Sequence, residues 1–458
     1  MAQKKHNLSL FIFRRDLRLS DNTGLIRACT ESNKVIPAFF LQNDLIDPTT
    51  QKYRPNLLQF MFESLCELDS TLKGFGSGLY LFFIEDFERI LKMNKIEAVY
   101  LNEDVTPYSR KRDNTLKDIC LKNNINFHNC FDLYLTRPGE VLTREGKPYK
   151  VFTSFYNKAK KVKINNPVKM GFKNFFNTNL PRQKPLKILN EFLEHQNKYL
   201  AQRGGRSNSL KILKRIETLY NYNKKRDYPA LAGTTKISAH LKFGTVSIRE
   251  VYQAVRNKLQ EENHLITELF WRDFYAHLSH FFPYIFKGPF NKKYQYIEWE
   301  NNKKYFDSWC SGETGFPIVD AGMRQLNKTG WMHNRARMIV ASFLTKDLLI
   351  DWRWGERYFA SKLVDYDPAS NNGGWQWAAS TGADSQPYFR IFNPWRQQKK
   401  FDPNTEYIKH WIPELSDLTP EEIHNLEKVK NLFKNNYPKP IVDHRLQAEK
   451  SKNIFKKL

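Results

Sequence analysis

The chain has 458 residues, 41% of them hydrophobic and 26% charged, which is enough apolar material for packed cores and excludes a disordered chain or a short peptide-like module. At roughly 100 to 200 residues per domain, two to four domains are expected. Lysine and arginine total 73 against 48 acidic residues, and the net charge of +25 would attract phosphate polymers or an anionic membrane surface.

Met1–Asn7 is polar and basic, without an apolar signal segment, and no apolar run approaches the roughly 20 residues of a spanning helix, so a cytosolic protein is expected. The first third then alternates short β-branched and aromatic runs with helical stretches, the pattern of a parallel sheet flanked by helices. Leu8–Phe13, Val35–Leu41, Leu79–Ile84, Ala98–Leu101 and Ile125–His128 are predicted strands. Between them Leu57, Met61, Leu65, Leu68 and Leu72 fall on one helix face. Gly74, Gly76 and Gly78 fit neither phosphate-loop spacing and precede a strand, so they predict a turn. The spacing predicts a Rossmann-like α/β domain over 1–135. Residues 136–205, rich in Lys, Asn and Pro, are predicted to form a long linker over the surface. Beyond it helical periodicity dominates, and all ten tryptophans fall between Trp271 and Trp411, which marks 206–458 as a helical domain and the seat of function. The five cysteines are scattered without a C-x-x-C pair, as expected of buried free thiols in a reducing compartment.

Three stretches of the second domain could carry chemistry. Glu268, Trp271 and Arg272, three and four residues apart, share a helix face that could bind a planar heterocycle or simply be amphipathic. In GWMHNRARM, at 330–338, Asn334, Arg337 and Met338 share a face at the start of an apolar helix, where buried polar groups need partners. Asp365 and Asp367 precede Pro368 and are candidate acid/base groups or caps of the next helix; no third ligand stands nearby for a metal. His277 and His280 lack a third ligand too, and no metal site is expected. Tyr222, Arg226 and Thr234–Ser238 offer hydroxyls, a cation and backbone amides suited to a phosphate or to ordinary turns.

FRRDLRLSDN at 13–22, KVFTSFY at 150–156, RDYPALAGTTKIS at 226–238, TGFPIVDAGMRQLNKTGWMHNRARM at 314–338 and NNGGWQWAASTGADSQPYFRIFNP at 371–394 together resemble the photolyase/cryptochrome family, and most closely its class I cyclobutane pyrimidine dimer photolyases. The resemblance spans nearly the whole chain. It implies an α/β antenna domain, a linker and an all-α domain that binds FAD. By position, Tyr222, Thr234, Thr235, Lys236, Ile237, Ser238, Glu268, Arg272, Arg337, Asp365, Asp367 and Asn371 match the family's FAD pocket, with Asn371 beside flavin N5. Lys236 and Ile237 stand where Arg and Leu are more usual, and Leu265 where some relatives carry Trp.

The implied reaction splits cyclobutane pyrimidine dimers in DNA, without sequence preference, by electron transfer from photoexcited reduced FAD to a flipped-out lesion. Trp271 and Trp377 match the walls of the lesion pocket, Glu268, Asn334 and Met338 its contacts with the dimer, and Arg335 and Gln397 its grip on phosphates. Trp299, Trp352 and Trp375 match an electron-transfer chain. Asn334 and Met338 replace the histidine pair of (6-4) enzymes, and Asn371 departs from most signalling cryptochromes, leaving a photoreceptor without repair activity as the alternative. A second, antenna chromophore is implied, methenyltetrahydrofolate or a deazaflavin or flavin. Asn102, Glu103 and Asp104 match neither the pterin nor the deazaflavin pattern. A monomer away from membranes is expected.

Overall fold

β-Branched and aromatic residues suit a pleated, buried surface, and in the computed structural model they build five strands: β1 (His6–Phe13), β2 (Ser32–Leu41), β3 (Tyr80–Phe83), β4 (Ala98–Asn102) and β5 (Asn126–Cys130). The structure describes residues 4–177, 183–194, 196–259, 263–428 and 436–458. Each strand falls on a run predicted from sequence. All pairings are parallel, in the order β3-β2-β1-β4-β5, with Leu10 opposite both Ile36 and Val99. Parallel strands are covered on both faces, which is why these runs are almost continuously apolar.

One face buries Leu10, Ile12, Ile36, Phe40, Phe82, Val99 and Leu101 in a common core with Ile90 and Leu116. Helix α1 (Thr23–Glu31) packs against β1, β2 and β4, and the Asn22 side chain caps it by accepting from Leu25 N. Helix α2 (Pro55–Lys73) opens on a proline and buries Met61, Leu65, Leu68 and Leu72, as their spacing predicts. Gly74 ends it, and Gly76, at φ 71°, takes the left-handed turn that follows. Helix α3 (Phe152–Ala159) buries Phe152, Phe155 and Ala159 against helix α4 (His264–Phe281). Phe175 forms a bridge with Val35 of β2, so the stretch expected as a surface linker also contributes to the core.

Lys, Asn and Pro enrichment concealed those few anchoring aromatics. The chain divides into two compact units. A sheet unit comprises Met1–Lys198, Gln202–Tyr220 and Thr235–Pro283, and a helical unit comprises Tyr199–Ala201, Asn221–Thr234 and Tyr284–Leu458. Helix α4 with its Glu268, Trp271 and Arg272 thus belongs to the sheet unit. The cysteines are free, but Cys66 is exposed and Cys310 half-buried, against the expectation that all five are buried. Cys66 lies on the outward face of α2, opposite its apolar stripe.

In the helical unit one core gathers Trp309, Phe316, Val340, Trp352, Phe359, Trp375, Trp395 and Tyr407. It is built by α5 (Pro317–Thr329), α6 (Asn334–Ser342), α7 (Trp352–Lys362), α8 (Pro368–Ala379) and α9 (Pro394–Phe401), with α10 (His444–Lys456) packed on the π-helical turn Phe343–Asp347. Asp320 of α5 accepts hydrogen bonds from Thr314 N, Thr314 Oγ1, Gly315 N and Tyr437, which fixes the TGFP entry into that helix. A Cβ at Gly355 would lie 2.1 Å from Trp375 Cη2, so only glycine lets α7 and α8 approach this closely. Among the described residues no helix is long and apolar enough to cross a membrane.

Candidate functional site

In the helical unit, the Asn-Arg-x-Arg start of α6 brings three polar side chains to one end of an otherwise buried helix. His333 caps it, its ring accepting from Arg335 N at 3.1 Å. Arg337 donates to both carboxylate oxygens of Asp365, at 2.9 and 3.2 Å, and its Nε donates to Met332 O at 2.8 Å. Asp365 is buried while the guanidinium stays partly exposed, so the pair keeps an edge for a further hydrogen-bonding group. Asp367 caps α8 by accepting from Ser370 N at 3.0 Å. Four residues on, the Asn371 amide donates to the main chain and side chain of Glu356, at 3.2 and 2.8 Å. The acids at 365 and 367 therefore divide their work between an ion pair and a cap.

The same end of α6 opens into a cavity of about 500 Å³. Arg335, Met338, Trp377 and Gln397 all line it, so four residues named from sequence meet in one cleft. Asn334 is exposed and reaches Met338 Sδ at 3.7 Å. Sequence reasoning missed the cavity's other walls, Asp227, Tyr228, Phe392, Lys400 and Phe401 among them. Asp227 accepts from Arg335 at 2.8 Å, and the Arg335 guanidinium lies 4.1 Å from the Phe401 ring centre. Asp227 stands inside the 226–238 motif, but the pairing spans 108 positions and no periodicity announces it. Tyr222, also of this unit, is buried with Arg226 over its ring, and Thr234 is half-buried.

Trp352 and Trp375 lie in the core of the helical unit, and Trp299 packs against that core, its ring 6.4 Å from Phe455. Trp309, a residue not singled out from sequence, is edge-on to Trp375 at 6.1 Å and donates its indole N–H to Val340 O. Next to this aromatic group the turn 343–347 buries two ionisable residues. Lys346 sits over the Phe455 ring and donates to Ala379 O, and burial holds its ammonium well below the ordinary range. Asp347 bonds His444, and burial pushes its carboxyl up to about 6.

In the sheet unit, α4 carries the remaining expected residues. Phe152 stacks face to face on Trp271, with ring centres 3.7 Å apart and planes 7° from parallel, so one face of the indole is occupied by a phenyl ring. Arg272 donates to the Leu133 and Leu241 carbonyls and lies over Tyr134 at 4.5 Å. Glu268 is half-buried. The next residue, Asp273, is fully buried and accepts from Leu135 N, Thr136 N and Thr136 Oγ1, which ties α4 to the segment after β5. Burial nonetheless pushes Asp273 up to about 7. Thr235 accepts from Ile237 N, Lys236 has φ 51°, and Ser238 opens a short helix that has no cap from Ile237 but whose Ala239 N donates to Gln202 Oε1 at 3.1 Å. Ile237 is buried, while Lys236 and Ser238 are exposed.

The fold thus joins a parallel α/β unit to a Trp-rich helical unit that carries the Arg337–Asp365 ion pair and an aromatic cleft. Comparison with known proteins narrows this. The family model for DNA photolyase matches residues 9–171, and that for the FAD binding domain of DNA photolyase matches residues 265–457. The deoxyribodipyrimidine photo-lyase of Alkalihalophilus pseudofirmus is 39% identical, over 97% of each chain. Among solved structures, an archaeal photolyase from Sulfolobus tokodaii with two FAD molecules is 42% identical, covering 98% of this chain and all of that one, at a TM-score of 0.88. A class III photolyase from Agrobacterium tumefaciens is 33% identical at a TM-score of 0.90, covering 100% of this chain and 98% of that one. The chain belongs to the photolyase/cryptochrome family, and its residues 265–457 are an FAD-binding domain.

Proposed function

We propose that the chain is a light-driven DNA-repair lyase, of class I type, which splits cyclobutane pyrimidine dimers in DNA. The observation that supports this best is the cavity of the helical unit, where the indole of Trp377, the thioether of Met338, the Arg335 guanidinium and the Gln397 amide share one cleft. A dimer within a duplex has to leave the stack, which costs a few kcal/mol and less for a damaged base. Stacking on an indole returns about 1–3 kcal/mol per base. Trp377 and Trp271 take that role, Asn334, Met338 and Glu268 contact the dimer, and Arg335 and Gln397 hold phosphates. Phosphate contacts carry no sequence information, in keeping with a lesion recognised in any context. The net charge of +25 favours such binding through counterion release.

The residues fit FAD by their donor chemistry. A diphosphate needs hydroxyls and N–H groups, and Thr234, Thr235, Lys236, Ile237 and Ser238 carry hydroxyls, an ammonium and main-chain amides of that kind. A flavin edge needs paired donors and acceptors, which the Arg337–Asp365 pair and the Asn371 amide offer. Tyr222, Glu268, Arg272 and Asp367 complete the set, with Arg272 and Asp367 holding helix geometry through the bonds described above. When bound, FAD supplies the photoexcited electron that opens the cyclobutane ring and then recovers it. The Glu356 bonds fix the orientation of Asn371, and the apolar core around Trp375 keeps water from that side. Trp299, Trp352 and Trp375 are assigned to electron relay from the surface of the helical unit. The antenna domain is assigned to 1–135, the linker to 136–205 and the catalytic domain to 206–458. The antenna chromophore is assigned to methenyltetrahydrofolate, a deazaflavin or a flavin, and the S. tokodaii relative with two FAD molecules supports the flavin. The protein acts as a cytosolic monomer.

The test is to illuminate the reduced, FAD-loaded protein with an oligonucleotide carrying one thymine dimer and follow recovery of thymine absorbance against a dark control. Light-dependent recovery is expected. Binding of the lesion without recovery would contradict repair and turn the reading to a photoreceptor.

A further inference from the structure

Away from the residues assigned to repair, three side chains from separate segments of the sheet unit converge. His6 begins β1, Glu31 ends α1 and His128 lies in β5, and one possible ligand atom from each falls within 4.8 Å of the others. We propose that His6, Glu31 and His128 form a binding site for a borderline divalent transition ion of the zinc type. Two imidazoles and a carboxylate are the donor set that zinc, nickel or cobalt prefers, with a fourth position left to water.

Three observations support the assignment. His128 Nε2 is buried and meets no hydrogen-bond partner among the described residues, although an imidazole nitrogen normally finds one. The outer contacts have the arrangement that orients metal ligands: Tyr100 Oη donates to Glu31 Oε2 at 2.7 Å and stacks on His128, while His6 Nδ1 lies 4.0 Å from Glu97. A cleft of about 470 Å³ lined by Lys5, His6 and Glu97 opens beside His6 and gives an ion its way in.

Two cations oppose it. Lys5 donates to Glu31 Oε1 at 3.0 Å, and Arg27 lies 3.4 Å from Oε2. The Lys5 side chain is 63% exposed, and an exposed ion pair contributes little that an incoming ion would have to replace. A tetrahedral ion with bonds of about 2.05 Å sets its ligands roughly 3.3 Å apart. The three groups lie within 4.8 Å of one another, so binding would close each gap by at most about 1.5 Å. Binding would clip the edge strand β5 to the start of β1.

The chelator-treated, FAD-loaded full chain is dialysed against zinc and its metal content measured, with cobalt absorption as a second readout. One equivalent is expected. His6→Ala, His128→Ala and Glu31→Gln should each weaken binding at least tenfold, while His410→Ala, an exposed histidine elsewhere, leaves it unchanged. Zinc should raise the unfolding temperature of the parent by a few degrees and leave that of His128→Ala where it is. His6 sits at a strand start where alanine is tolerated, so loss of folding in one variant leaves another to report. Absence of stoichiometric zinc, or zinc affinity equal to the parent's in both the His6 and the His128 variants, would overturn the site.

Discussion

In the sheet unit, Arg18, Asp132 and Asp21 are buried with the half-buried Arg249, and the ion pairs Arg18–Asp132, Arg249–Asp132 and Arg249–Asp21 all close within 2.9 Å. In the helical unit, Asp347 Oδ2, Ser380 Oγ, Thr381 Oγ1, Gln398 Oε1 and Ser451 Oγ are equally buried but meet no hydrogen-bond partner among the described residues. Burying a charge is tolerable only when it is paired and its remaining valences are met. The charges of the FRRDLRLSDN stretch are taken up within the sheet unit, Arg14 by Asp113, Arg15 by Asp104 and Arg18 by Asp132, although Arg18 Nε meets no partner among the described residues; the stretch serves as scaffold. In the helical unit the buried atoms without a partner include Arg335 Nε and Gln397 Oε1, and both residues line the aromatic cleft, where a bound molecule would meet them.

The contrast can be broken first at Asp132. Asp132→Ala takes the carboxylate from buried Arg18 and one of two from half-buried Arg249, which keeps Asp21, and a loss of about 3–5 kcal/mol in denaturant unfolding is expected. A loss below about 1 kcal/mol would show that the network is less closed than its distances imply.

Asp273 tests the sheet unit by pH. Its folded value of about 7 stands above the roughly 3.9 of an unfolded aspartate, so the native chain binds the extra proton between those values. Stability should fall as pH rises from about 4 to 7, on the order of a few kcal/mol, and Asp273→Asn should flatten that slope. Thermal unfolding across the window decides it.

At the cleft, Arg335→Ala should weaken damaged and intact DNA alike, by roughly tenfold, and lower the salt slope of binding by about one. A loss confined to damaged DNA would move Arg335 from phosphate contact to lesion reading. The smallest effect is expected at Asp347. An amide keeps its contact with His444 and avoids a buried charge, so Asp347→Asn should cost about 1 kcal/mol or less, against the much larger loss at Asp132.

All five strands were legible because β-branched and aromatic runs bounded by turns have few other uses, and the stripe from Met61 to Leu72 placed α2 for the same kind of reason. Asp367 as a cap followed from the proline after it. What stayed hidden depends on pairs distant in sequence. The Phe152–Trp271 stack joins segments 119 positions apart, and neither residue's neighbours signal the other. Phe175 looks like one aromatic in a polar stretch until it pairs with Val35. The π-helical turn at 343–347 carries no local mark either, since its apolar residues continue the pattern of α6. Trp309 was passed over because large aromatics usually serve packing, as it does, and only its place beside Trp375 distinguishes it.

The account turns on lesion recognition by the cleft of the helical unit, and the most direct measurement compares the affinities for dimer-containing and intact duplex in the parent and in Trp377→Ala. Removing the indole should weaken binding to the damaged duplex by about 1–3 kcal/mol, roughly 5- to 150-fold, and leave the intact duplex unchanged. An unaltered ratio between the two duplexes would contradict the account and place the lesion elsewhere.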